Sequence, residues 1–224
     1  MLMQILDYVG VAVFAVSGCI AASRKGLDIT ALIFFGVLTG IGGGTLRDLI
    51  LGVPVFWVVS SSYLAVCLAI SVIVWFTADS IEKLGKPLRW ADAIGIAAYS
   101  VMGAGKAVQL GHSPLVAVLM GISTATFGGV LRDMVANEPS AIIKQEIYVS
   151  AAAVGASFYV TLYMVGVDPW FAAGIAGAFA LGARGGAILY GWSLPGYGAP
   201  KTIVRWHGKK PHDSDKPDDD TTRS

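Results

Sequence analysis

Runs of mostly apolar residues about 20 long alternate with short polar links along most of the chain, the pattern of helices that each cross a bilayer. Seven such runs are present: 4–22, 29–51, 58–78, 91–108, 114–136, 147–165 and 169–190. The first link carries Arg24 and Lys25, and the third carries Lys83, Lys86 and Arg89. Beyond Tyr190, a Gly/Pro-rich stretch leads into a tail ending DSDKPDDDTTRS, too polar to bury a core and expected to be disordered. The predicted fold is all-α and integral to a membrane. Its membrane domain covers 1–190, and its polar tail covers 191–224.

Composition strengthens this picture. Apolar residues make up 55% of the chain and charged residues 14%, against roughly 25% charged in a soluble domain. With a net charge of +1 there is no global field to attract nucleic acid, and no nucleic-acid partner is expected. Cys19 and Cys67 lie inside apolar runs without metal-ligand spacing, and two of the three histidines, His207 and His212, lie in the tail. His112 falls in the 109–113 link, so zinc chemistry or a Ser-His-Asp site within the membrane body lacks its histidine, and no enzyme, metal or cofactor is expected. Met1–Ala22 has no basic leading segment and reads as a mature transmembrane helix rather than a signal peptide.

Seven spans put the termini on opposite sides. Of the 16 Lys and Arg residues, all but Arg47 and Lys106 fall on the side of the odd-numbered links and the C-terminus. The positive-inside rule then predicts a multi-pass protein of the inner (plasma) membrane with the N-terminus outside and the C-terminus cytoplasmic.

An internal repeat organises the domain. Residues 7–63 and 92–148 align without gaps at an offset of 85, with 16 of 57 positions identical. Asp7 matches Asp92, Gly10 matches Gly95 and Gly18 matches Gly103. The densest block sets GGGTLRDLILGVP (42–54) against FGGVLRDMVANEP (127–139). Repeat one spans 4–78 and repeat two spans 91–165, with a seventh helix at 169–190. Three spans per unit, an odd number, imply inverted copies related by a pseudo-twofold axis in the membrane plane, with a site between them.

Gly40, Gly42, Gly43 and Gly44 in the second run, and Phe127, Gly128 and Gly129 in the fifth, mark the candidate path. Consecutive glycines lose about 1 kcal/mol of helix propensity each, so a kink or unwinding beside a permeation path is expected. Close packing of small-xxx-small faces is the other reading of the same glycines. Arg47, Asp48, Arg132 and Asp133 follow directly. Adjacent residues on a helix point about 100° apart, so each Arg is expected to pair across helices, with Asp7, Asp92 or the other repeat, and not with its own Asp. These charges either set the electrostatics of two pore mouths or are structural pairs near the membrane ends. Lys106 either snorkels or lines a cavity. GIGGGT (40–45) lacks the third glycine of a dinucleotide turn and lies inside a span, so it is not a nucleotide site.

GGGTLRD and FGGVLRD, 85 residues apart in a seven-span chain, resemble the prokaryotic trimeric intracellular cation (TRIC) channels, a domain also labelled a bacterial glycine transporter. The resemblance covers roughly 4–190. It implies two inverted three-helix repeats plus a seventh helix, a homotrimer in the lipid bilayer, and one path per subunit beside the second and fifth helices that passes K+ and Na+. It puts the glycine clusters in the pore region, where Phe127, replacing a glycine, narrows the second half. The expected ligands are permeant K+ or Na+, with a bound lipid as an option; the basic motif of the animal members is not present. The alternative function is a secondary transporter of a small solute such as glycine.

Overall fold

The computed structural model describes residues 2–83, 86–142 and 147–193. The expected disordered tail lies, from residue 194 onward, outside the described residues. Among the described residues eight helices are formed: α1 (Leu2–Ser23), α2 (Ile29–Ile50), α3 (Phe56–Val59), α4 (Ser62–Glu82), α5 (Pro87–Gln109), α6 (Pro114–Val135), α7 (Val149–Met164) and α8 (Pro169–Tyr190).

Local chemistry sets the helix ends. Asp28 caps α2 by accepting the Ala31 N–H at 2.8 Å, and Asp168 caps α8 by accepting that of Trp170 at 2.9 Å. Pro87, Pro114 and Pro169 each occupy a first turn, where no intrahelical N–H is needed. Matched left-handed residues close matched helices. Gly26 and Gly111 follow α1 and α5, while Gly52 and Asn137 follow α2 and α6.

The third expected span, 58–78, is divided. Ser60 is extended, with φ −132° and ψ 104°, and separates the single turn of α3 from α4. Three consecutive serines supply the reason: their hydroxyls offer local partners that compete with helix, and Ser60 and Ser62 bond to each other at 2.6 Å. Among the described residues, four helices are long and apolar enough to cross a membrane: α1, α2, α6 and α8. α4 and α7 contain shorter apolar helices, Ser62–Ala78 and Val149–Met164.

Packing groups α1, α2 and α4 into one bundle and α5, α6 and α7 into another. The bundles join where α1 lies on α5 and α2 lies on α6, while α8 covers α5 and α7. Buried Val11, Phe14, Ile96, Tyr99 and Met102 form the seam between the bundles.

The expected helix breaks are not present. α2 runs unbroken through Gly40, Gly42, Gly43 and Gly44, and α6 runs unbroken through Phe127, Gly128 and Gly129. Glycine's helix cost applies to an isolated, solvated helix. Here the glycines are buried against the backbones and side chains of neighbouring segments, and tertiary contact offsets that cost.

Candidate functional site

The two glycine clusters meet where α2 crosses α6. A Cβ on Gly43 would overlap the Thr124 carbonyl, and one on Gly128 would overlap the Thr39 carbonyl. Each helix thus fits its backbone against the other at pseudo-equivalent residues. Thr39 and Thr124, themselves 85 apart, turn their hydroxyls back onto the carbonyls of Phe35 (2.7 Å) and Met120 (2.6 Å).

Gly40, Gly44 and Gly129 serve their own bundles, while Gly42 faces α6. A Cβ on Gly40 would meet the Val11 carbonyl at 3.0 Å and Cys67 Sγ at 3.1 Å, and one on Gly44 would strike the Phe56 ring at 2.6 Å. Gly129 admits the Tyr148 hydroxyl in the same way. Gly42 is more forgiving, facing a Leu131 methyl at 2.9 Å. Phe127 is half-buried.

One helical turn beyond the crossing, each bundle closes around a buried arginine. In the first, Arg47 Nε donates to Asp48 Oδ1 at 2.7 Å, and Nη1 lies 3.4 Å from Asp7 Oδ1 and reaches the Met102 sulfur. In the second, Arg132 Nε donates to Asp133 Oδ1 at 2.9 Å. Its Nη1 donates to Asp92 Oδ1 at 2.6 Å and to the Ser17 hydroxyl. Pairing across helices with Asp7 and Asp92 is therefore present. The exclusion of each Arg from its own Asp is corrected, because the long arginine side chain folds back along the helix end although the two Cβ vectors diverge.

The second carboxylate oxygen ties each cluster to the following loop. Asp48 Oδ2 accepts the Phe56 N–H at 2.9 Å, and Asp133 Oδ2 accepts that of Ala141 at 3.3 Å. Phe56 and Ala141 are also 85 apart. Each Asp thus binds a guanidinium to the loop that leaves its helix.

Two features break the symmetry. Lys106 Nζ donates to Asp48 Oδ1 at 2.7 Å, while the matching residue of repeat one is Ala21. With a side chain 26% exposed, Lys106 ends on a buried carboxylate, so snorkelling alone does not describe it. The other is the pair Ser17 and Met102, equivalent under the repeat but unlike in chemistry. A hydroxyl both completes Arg132 and donates to Asp92 at 2.6 Å; a thioether stands in the same place beside Arg47. Arg47 Nη2 has no hydrogen-bond partner among the described residues.

Sequence reasoning missed Ser17, Met102 and the capped amides of Phe56 and Ala141. Their signal was the 85-residue offset itself, which pairs sites even where the residue types differ. Between the bundles, Lys25 and Glu138 also lie within 3.5 Å.

The family model described as "Glycine transporter" matches the chain twice, over residues 4–79 and 89–164, two copies displaced by the same 85 residues. A UPF0126 membrane protein of Vibrio cholerae is 35% identical over 207 residues, covering 89% of this chain and 84% of its own. UPF0126 inner membrane protein YadS of Escherichia coli is 38% identical over 165 residues, covering 73% and 80%. Among solved structures, the TRIC trimeric intracellular cation channel orthologue from Rhodobacter sphaeroides is similar with a TM-score of 0.82 and 40% identity. That likeness covers 85% of this chain and 98% of that one.

Proposed function

The chain belongs to the bacterial TRIC channel family, whose sequence model carries the description glycine transporter, and we propose on this premise that it conducts monovalent cations, K+ and Na+. The path runs within each subunit of a homotrimer, beside the α2–α6 crossing. The single observation that carries this reading is the pairing of that crossing with two buried Arg–Asp clusters in a fold shared with a solved cation channel. α2, α4 and α1 form repeat one, α5, α6 and α7 form repeat two, and α8 is the added span. The repeats are inverted in the membrane, and the clusters at Arg47–Asp48 and Arg132–Asp133 hold the charged ends of the path. Lys106 sets the field at the first of them. The C-terminus is cytoplasmic, by the distribution of Lys and Arg.

A secondary glycine transporter is the second reading, favoured by the description of the family model. Coupled transport needs an acidic group free to take a coupling ion or proton. Asp7, Asp48, Asp92 and Asp133 are all engaged by Arg or Lys, which supports the channel. Proteoliposomes loaded with KCl and diluted into a potassium-free impermeant salt test the two readings together. Rapid potassium release without saturable glycine uptake is expected; glycine uptake driven by an ion gradient, without passive potassium release, overturns the channel.

A further inference from the structure

Each repeat brings two carboxylates and one guanidinium to its charged cluster. In repeat one these are Asp7, Asp48 and Arg47, and Lys106, reaching across from α5, adds a second positive charge. In repeat two they are Asp92, Asp133 and Arg132. The residue that matches Lys106 is Ala21, so the repeat itself provides no counterpart for the second cluster.

The helix outside the repeat, α8, carries a cation to that place. Arg184 is 2% exposed, and its Nη1 donates to the Ile147 carbonyl at 3.3 Å. Its guanidinium carbon stands 5.3 Å from the centre of the Tyr148 ring. That ring is itself buried, and its hydroxyl fits against bare Gly129 beside the Arg132 guanidinium. Asp92, Arg132, Asp133 and Arg184 all act electrostatically on Tyr148, so one aromatic ring separates Arg184 from the second cluster. In repeat one the matching tyrosine, Tyr63, is packed by other rings, Tyr8 at 4.2 Å and Phe56 at 4.8 Å. Tyr8 is matched by Ala93, and in repeat two the tyrosine is packed by the Arg184 guanidinium. A charge inside a span is costly, and it marks a functional position when opposite charge lies near.

We propose that Arg184 sets the field at the second end of the path as Lys106 does at the first, so that α8 carries a charge of the conduction machinery as well as a packing face. The proposal rests on the channel reading above. Its test is the single-channel current–voltage curve of the purified protein in a planar bilayer with equal KCl on both sides. A unit charge about 10 Å from a water-filled path changes the local cation concentration about two-fold. Arg184→Gln is therefore expected to raise cation current entering at the second end about two-fold over current entering at the first, in about 0.1 M KCl. Most of that asymmetry is expected to vanish in about 1 M KCl, where screening is stronger. Lys106→Gln is expected to bend the curve in the opposite sense, and the double variant to return the parent's shape. Arg184→Lys, which keeps the charge, is expected to follow the parent. An unbent curve in Arg184→Gln, the same bend in Arg184→Lys, or a bend undiminished at high salt would overturn the proposal and leave the channel reading intact. A parent protein silent after verified insertion would remove the channel reading, and the proposal with it. Arg184→Met is a second neutral variant; if neither neutral variant elutes with the parent's subunit number, Arg184 is a structural residue and the proposal falls.

Discussion

Removing one member of a buried ion pair strands the other, at a cost of about 3–5 kcal/mol, whereas a looser pair with a second partner costs less. Each arginine keeps its own Asp, but Arg132 holds Asp92 at 2.6 Å with Ser17 bridging them, whereas Arg47 holds Asp7 at only 3.4 Å. Asp92→Ala should therefore lower the unfolding midpoint in detergent clearly more than Asp7→Ala. Equal losses would mean that the two clusters are equivalent despite Ser17 and Met102. Lys106→Gln should do little to stability, on the order of 1 kcal/mol or less, because Asp48 keeps Arg47 and the Phe56 N–H. It should raise single-channel cation conductance by removing a positive charge beside the path. Unchanged conductance would assign Lys106 to structure alone. At this scale, the partners Asp7 and Asp92 were legible in the sequence, because charges in a span must be paired. The Arg contacts with Asp48 and Asp133 were not, since residue spacing records Cβ directions and not the reach of a guanidinium.

At the scale of the helix, glycine runs were legible as special but not as to their use. Propensity describes a helix in water, and it points to a break; the same absence of a side chain lets two backbones touch, and here that contact decides. The two uses predict different mutants. Gly43→Ala places a methyl against the Thr124 carbonyl and should destabilise by about 1–3 kcal/mol through overpacking. Gly42→Ala, facing a mobile leucine methyl, should be near neutral. Melting of the purified variants checks this, and a stabilised Gly43→Ala would mean that helix propensity governs the crossing. The division of 58–78 into α3 and α4 was hidden for a different reason. It depends on serine hydroxyls pairing locally and on Asp48 capping the Phe56 amide, eight residues away in sequence.

For the whole molecule, the offset of 85 carried the most information. It announced two like units, and the helices 85 residues apart pack into like bundles with matched caps, clusters and crossing. What it could not announce was the difference between the units, which lies in substitutions such as Ala21 against Lys106 and Ser17 against Met102. The orientation proposed from the basic residues is tested by fusions: a green fluorescent protein at the C-terminus should fluoresce, as it does in the cytoplasm, while alkaline phosphatase fused there should be inactive. The reverse pattern would invert the topology.

The central claim, a cation path within each subunit, is met most directly by recording from the purified protein in a planar bilayer under a KCl gradient. Discrete currents reversing close to the potassium equilibrium potential are the predicted result. Silence after verified insertion, or reversal at the chloride potential, would contradict it.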